Sequence, residues 1–308
     1  MEHKDNKIAI VCFYQVYPVY HGAAYISSLV LKYLPLVKKK LFQFHDLRAK
    51  KNNYSGAVIS TNIYFNHALF KITFFPVLIF KILKYFKKSE NKIIIIEGAS
   101  WIFFSYLLII IIKFFDNKIK FIYHSHNIEF EVRKLKNNFL ISKITFFLEN
   151  KVINECDIST SVCYEDYIKI KKWFKLKTVI LRNGVDKYKI DKNFKKKLPK
   201  KYILYSGSYS YDPNKKAIDL IFSKYYKVIF SLLNDYYLVF TGDAFPDRYK
   251  FKNVKFYKKL NSYRYFTLVK NCKFLFLPST NSPGTKLKII EALSYGKIIL
   301  SNIIKIKA

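Results

Sequence analysis

Short apolar runs and amphipathic stretches alternate along most of the chain, the order that builds parallel α/β units. Residues from Lys7 to Phe13 form an apolar run and predict a buried strand. The run opens into YQVYPVYHGAAYISSLVLKYL, where Pro18 and Gly22 mark a loop and the apolar positions from Ile26 to Leu34 recur with helical spacing. The most hydrophobic region, Ile93 to Phe115, admits two readings. Its length reaches across a bilayer core of about 30 Å. Yet Glu97 and Gly98 fall where a strand would turn into a helix, and the four isoleucines before them suit a strand buried on both faces. Strand and helix are therefore expected here, with a further strand at Lys118 to Tyr123. A helix-like stretch follows from Asn138 to Cys156, then a short strand ending in Ser159 to Ser161. Tyr164 to Phe174 reads as a helix with acidic residues in its first turn, and Thr178 to Leu181 as one more strand.

The next stretch, RNGVDKYKIDKNFKKKLPK, has turn residues, charge and few apolar positions, and predicts a linker. A second α/β pattern then begins. Strands are expected at Lys201 to Tyr205, Tyr236 to Phe240, Asn253 to Tyr257 and Lys273 to Leu277, with helices at Ala217 to Leu233 and Ser262 to Lys270. The expected fold class is α/β, two Rossmann-like domains facing each other across a cleft. The expected division is an N-terminal domain over 1–182, a linker over 183–200 and a C-terminal domain over 201–308.

A chain of 308 residues with 51% hydrophobic and 19% aromatic residues can fill two such cores. Its formal charge of +34 raises nucleic acid and anionic membrane as partners. The excess is spread-out lysine, however, and only Arg48, Arg133, Arg182, Arg248 and Arg264 supply guanidinium groups. Nucleic-acid readers concentrate such groups on one element, so nucleic acid is not expected, whereas a lysine-covered surface attracts anionic lipid head groups. The segment from Lys71 to Lys88, an apolar helix punctuated by lysines, fits either a membrane interface or core packing with snorkelling lysines. Cys12, Cys156, Cys163 and Cys272 form no metal-like pair and read as buried thiols. The charged start MEHKDNK passes directly into IAIVCF, so no secretory signal is expected.

Two stretches carry candidate chemistry. In YHSHNIEFEVRK, His124, His126 and Glu129 fall at the carboxyl end of an expected parallel strand, where open α/β sheets bind ligands. A metal is not expected there, since no third ligand is assured, and His126 is read as a functional polar group. In LPSTNSPGTKLKIIEALSYGKIILS, an apolar run breaks at Pro278 and helical spacing restarts at Thr285. Strand, glycine loop and helix N-terminus make an anion site, with Gly284 allowing close backbone approach and Lys286 or Lys288 adding charge. Glu291 follows Gly284 by seven residues, on the same helix face about 10 Å along. The plain alternative is an ordinary strand–loop–helix with a solvated glutamate.

Five stretches taken together, YPVYHGAAYISSL, YHSHNIEFEVRK, LRNGVD, YSGSYSYDPNKKAIDL and SPGTKLKIIEALSYGKIILS, resemble in their order the retaining glycosyltransferases of the glycogen-synthase-like superfamily, glycosyltransferase family 4, which have the two-domain GT-B fold. The resemblance implies sugar transfer, with retention, from a nucleotide-sugar donor to a lipid-linked or surface-polysaccharide acceptor, as in lipopolysaccharide or capsule synthesis. It implies no metal and no cofactor besides the donor, and a cytoplasmic protein peripheral on the inner face of the plasma membrane. By the same resemblance Gly284, Thr285 and Lys286 meet the diphosphate and Glu291 the ribose hydroxyls. Gly22 and Ala23 match a Gly-Gly pair near the diphosphate, Gly207 heads a donor loop, Lys215 or Lys216 adds phosphate charge, and His126 matches a histidine beside the transferred sugar. This sequence departs from the family in three places: Ala23 stands for the second glycine of that pair, Pro283 stands where many relatives have a glutamate, and Lys286 where they have an arginine. Relatives also continue beyond the stretch KIILSN through further elements, so the second domain is expected to be incomplete. The alternative expectation is an inactive truncated paralogue that only binds a membrane or a partner.

Overall fold

The computed structural model describes residues 6–17, 19, 21–35, 38–44, 57–59, 67–98, 101–135, 139–174, 178–186, 188–258, 260–278 and 287–301. The chain divides into two compact units, the first ending at Gly184 and the second beginning at Val185.

In the first unit the order is β1 (Asn6–Cys12), α1 (Gly22–Tyr33), β2 (Lys38–Phe44), β3 (Ala57–Ile59), α2 (His67–Phe86), β4 (Asn91–Glu97), α3 (Ile102–Phe115) and β5 (Lys120–His124). It continues with α4 (Glu129–Leu135), α5 (Phe139–Glu155), β6 (Ile158–Ser161), α6 (Tyr164–Phe174) and β7 (Thr178–Ile180). All seven strands pair in parallel in the order β3-β2-β1-β4-β5-β6-β7. Strand order reverses between β1 and β4, which defines a topological switch point. Ile10 pairs with Ile95 and Val11 with Ile96 across that seam, all but fully buried, as two-sided burial of a parallel sheet requires. Helices supply Leu78, Ile82, Leu108, Ile112 and Val152 to the core that holds Val11 and Ile96, while Ile10 and Ile95 belong to a separate cluster.

The apolar region at 93–115 thus folds as strand, turn and helix, with Gly98 at φ 65° making the turn after β4. Among the described residues no helix is long and apolar enough to cross a membrane. Helix α2 sends Phe75, Leu78, Ile79, Ile82 and Phe86 into the core. Its Lys71 is buried over the Trp101 ring at 4.1 Å, and burial brings this ammonium down to about 8. Two strands are not legible in the pattern, β2 and β3. In β2 three lysines open the strand, and only Leu41 to Phe44 are buried.

The second unit runs α7 (Lys192–Lys195), β8 (Tyr202–Ser206), α8 (Asp212–Leu220), α9 (Tyr226–Leu232), β9 (Tyr237–Gly242), β10 (Val254–Lys258), α10 (Ser262–Asn271), β11 (Phe274–Phe276), α11 (Leu287–Ser294) and β12 (Ile298–Leu300). Its parallel strands lie in the order β10-β9-β8-β11-β12, with the switch point between β8 and β11. The helix expected as one piece from Ala217 to Leu233 is instead α8 and α9 joined by a π-helical turn, Ile221–Tyr225. That wide turn coincides with full burial of Ile221 and with Phe222 stacked on Tyr249 at 4.0 Å. The stretch expected as linker carries α7, whose cap Asp191 accepts from the Phe194 amide at 2.8 Å, while Phe194 packs against the second unit's core.

Candidate functional site

Glu97 closes β4 and stands beside His124, the last residue of β5, in direct register across the parallel pair. Both side chains therefore emerge on the same face at the carboxyl ends of the strands. The Glu97 carboxylate is fully buried. Desolvation disfavours such a charge by several kcal/mol unless donors surround it. Here they do: Ser27 Oγ from α1 donates at 2.7 Å, His124 Nδ1 at 3.0 and 3.1 Å, and His126 Nε2 at 2.9 Å. The Ser27 proton being committed to Glu97, the Tyr14 hydroxyl 2.8 Å away donates to Ser27 Oγ. A relay of Tyr14, Ser27 and Glu97 thus meets two histidines at the switch point of the first sheet. The loop that carries Tyr14 is itself fixed by buried Gln43 on β2, whose Oε1 accepts from the Val16 and Tyr17 amides at 2.8 and 3.1 Å.

Burial raises the cost of ionising Glu97, but the His124 charge and the bonds from both histidines outweigh it and hold the carboxyl well below its usual range. For His124, burial works against the cation, yet the Glu97 charge and hydrogen bond raise its pKa. For His126, burial dominates and lowers the pKa despite the same carboxylate, with the His124 charge adding to the shift. Glu97 thus favours the charged form of His124 beside it, while burial favours the neutral form of His126. Since Glu97 can only accept, neutral His126 carries its proton on Nε2 and leaves Nδ1 as an acceptor. His124 Nε2 is buried with no hydrogen-bond partner among the described residues.

Donor atoms of Glu97, His124 and His126 lie within 4.8 Å of one another, and histidine with carboxylate is a divalent-metal ligand set. Their separations of 2.9 to 3.1 Å are those of N–H···O hydrogen bonds, which exist only with the nitrogens protonated. The third member of the cluster is not Glu129, which lies 2.7 Å from Arg133 one turn along α4. Sequence reasoning misses Glu97 as a site residue because a lone acid after four isoleucines also reads as turn punctuation. Its signal is the position itself, at the very end of a two-sided buried strand.

Gly22 and Ala23 form the first turn of α1, behind the cap His21, whose Nδ1 accepts from the Ala24 amide at 3.2 Å. The His21 and Tyr14 rings meet edge-on at 5.6 Å, so the helix N-terminus adjoins the relay. Burial and the neighbouring His126 lower the His21 pKa.

In the second unit Gly207 follows β8 at the switch point, its amide donating to Thr241 O at 2.8 Å. A Cβ on Gly207 would stand 2.6 to 2.8 Å from the Asn214 side chain, so the loop and the start of α8 close together only around glycine. Lys288 from α11 reaches Asn214 Oδ1 at 3.4 Å and lies over the Tyr205 ring at 5.5 Å. Glu291, one turn further, is buried and accepts from Tyr265 Oη at 2.5 Å. Burial raises its pKa, opposed by the Tyr265 bond and the Lys288 charge. The structure brings Lys288 to Asn214 and Tyr205, places Lys215 over the ring of Tyr209 in the Gly207 loop at 5.8 Å, and pairs Lys216 with Asp212. Gly284, Thr285 and Lys286 lie outside the described residues. A groove of about 500 Å³ lined by Phe80, Lys84, Lys92 and Phe115 sits at the other end of β4, roughly 16 Å from Glu97 by strand rise, and is separate from either cluster.

No family model matches the sequence, and no curated protein does. Solved structures do match. Sucrose-phosphate synthase from Thermosynechococcus elongatus superposes with TM-score 0.67 at 12% identity, covering 96% of this chain and 81% of its own. A UDP-forming trehalose-phosphate synthase from Burkholderia xenovorans, in complex with glucose-6-phosphate, gives 0.64 at 10%, covering 96% and 85%. WaaG, a glycosyltransferase involved in lipopolysaccharide biosynthesis, gives 0.59 at 12%, covering 95% and 80%. The chain has the fold of these GT-B glycosyltransferases, two Rossmann-like domains with parallel sheets.

Two outcomes are expected. Glu97→Ala takes away the acceptor of Ser27, His124 and His126 and lowers unfolding free energy by about 3–5 kcal/mol. Raised His124 contributes stability that is complete below its unfolded pKa and lost as pH rises through its folded one; without Glu97, burial reverses that sign. The deficit measured by urea unfolding therefore grows as pH falls from about 8 to about 5, and a pH-independent deficit would contradict this. Gly207→Ala strains the backbone at φ 155° and forces Asn214 aside, costing about 1–3 kcal/mol, read as a lowered unfolding midpoint; Asn214→Ala added to it relieves only the clash and leaves most of the loss.

Proposed function

We propose that the chain is a glycosyltransferase that moves a sugar, with retention, from a nucleotide-sugar donor to a lipid-linked or surface-glycan acceptor at the cytoplasmic face of an anionic membrane. The observation that carries the reading is α11 of the second unit. At the switch point of a doubly wound sheet it sets a cation, Lys288, against the glycine loop after β8, and a buried carboxylate, Glu291, one turn away. That pairing suits a nucleoside diphosphate, whose phosphates need fixed positive charge and close backbone and whose ribose hydroxyls need an acceptor. Lys286 and the amides of Gly284 and Thr285 are assigned to the same diphosphate.

Sugar transfer develops charge on the departing diphosphate, and fixed lysines with a helix N-terminus stabilise it without a divalent ion. Metal independence is therefore part of the proposal. The first unit is assigned the acceptor and the transferred sugar. There His126, held neutral with Nε2–H given to Glu97, presents a ring of fixed orientation and tautomer, and the first turn of α1 at Gly22 and Ala23 supplies backbone donors. Support comes also from the solved structures, among them HepE of Anabaena in complex with UDP and glucose.

Calorimetric titration with UDP, GDP and ADP in the presence of a chelator tests the reading. One of the three is expected to bind saturably, and Glu291→Ala or Lys288→Ala to weaken it about tenfold or more, near 1.4 kcal/mol. Absence of binding by all three overturns it, and vesicle binding alone would then leave an inert membrane-binding protein.

A further inference from the structure

Helix α5 is packed inside out. Its buried side chains over the first three turns are polar: Ser142, Thr145 and Glu149. Each is satisfied locally. Ser142 Oγ donates to Phe130 O at 3.1 Å, Thr145 Oγ1 to Ile141 O at 2.7 Å, and Glu149 accepts from the Glu129 and Phe130 amides, capping α4. The apolar stripe faces outward instead, with Phe139 70%, Leu140 68% and Phe147 58% exposed, and Ile144 beside them. A cluster of this size is uncommon on a surface that meets only water.

Lysines alternate with the aromatic rings along one row of the stripe. Lys143 Nζ lies 4.4 Å from the Phe139 ring centre and Lys151 Nζ 5.5 Å from that of Phe147, a ladder at successive four-residue steps. From Phe139 to Lys151 the face spans about 18 Å. Large apolar groups interleaved with cations whose long stems can snorkel suit an interfacial helix, whose apolar side sinks about 5–10 Å to the boundary of head groups and acyl chains. A second copy is a poorer occupant, because two lysine ladders on chains of charge +34 would face each other.

We propose that the outward face of α5 docks the chain on an anionic lipid bilayer, through Phe139, Leu140, Ile144 and Phe147 with Lys143 and Lys151. This deepens the membrane part of the proposed function by naming the surface, and its test needs neither donor nor acceptor.

The full chain is sedimented with vesicles of phosphatidylcholine alone and of phosphatidylcholine mixed with phosphatidylglycerol. Binding is expected to the mixed vesicles and to fall about tenfold or more when Phe139, Leu140, Ile144 and Phe147 are all changed to Ser, with circular dichroism unchanged. The single variant Phe147→Trp, which keeps the fold, adds a fluorophore to the native Trp101 and Trp173. On mixed vesicles the emission it adds over the unsubstituted chain is expected to shift to the blue and to be quenched by brominated lipid. Unaltered sedimentation of the serine variant, or added emission that stays unquenched on vesicle-bound protein, overturns the proposal. So does a dimer in sedimentation velocity that the serine variant dissolves. Nucleotide titration in the absence of lipid is independent of these outcomes, so the sugar-transfer reading and the docking face fail separately.

Discussion

A carboxylate with no exposed surface, Glu97, organises the ligand end of the first sheet. An ion so placed persists only if its neighbours are arranged around it, and each neighbour belongs to a different element: Ser27 to α1, His124 to β5, His126 to the loop beyond. The requirement is mutual. The histidines hold the Glu97 carboxyl low, Glu97 raises the pKa of His124, and burial together with His124 lowers that of His126. One buried acid thereby biases the protonation of two histidines and sets the tautomer of one.

The second sheet solves a related problem with fewer groups. Gly207 permits close approach of Asn214, Asn214 receives Lys288, and Lys288 lies near Glu291 on the same helix. Glu291 is buried like Glu97, but the donor bonded to it is a tyrosine rather than a histidine, so its pKa moves up instead of down. Two buried carboxylates at two switch points thus differ in charge tendency because of what each is bonded to.

The repeating strand–helix order, the turn at Gly98, and α6 from Tyr164 to Phe174 are legible in the sequence because two-sided burial and helical spacing leave plain patterns. Strand β2 is not, since its lysine-rich start hides a buried half whose Gln43 serves the loop after β1. His126 is visible from its place at a strand end, whereas Glu97 requires the β4–β5 register, which no single segment encodes. Likewise Glu291 and Gly207 are readable, while the contact of Lys288 with Asn214 and Tyr205 depends on where α11 lies beside β8. Helix α5 is the reverse case: periodicity identifies its apolar stripe, but only tertiary structure tells that the stripe faces outward.

The most direct measurement is the side-chain ¹⁵N spectrum of the histidines followed through a pH titration of the whole chain. The account predicts that His124 takes up its second ring proton above the ordinary histidine value of about 6.5, while His126 is neutral with its proton on Nε2 and titrates only below that value. Two histidines that titrate together near that value, or a His126 protonated on Nδ1, would contradict it.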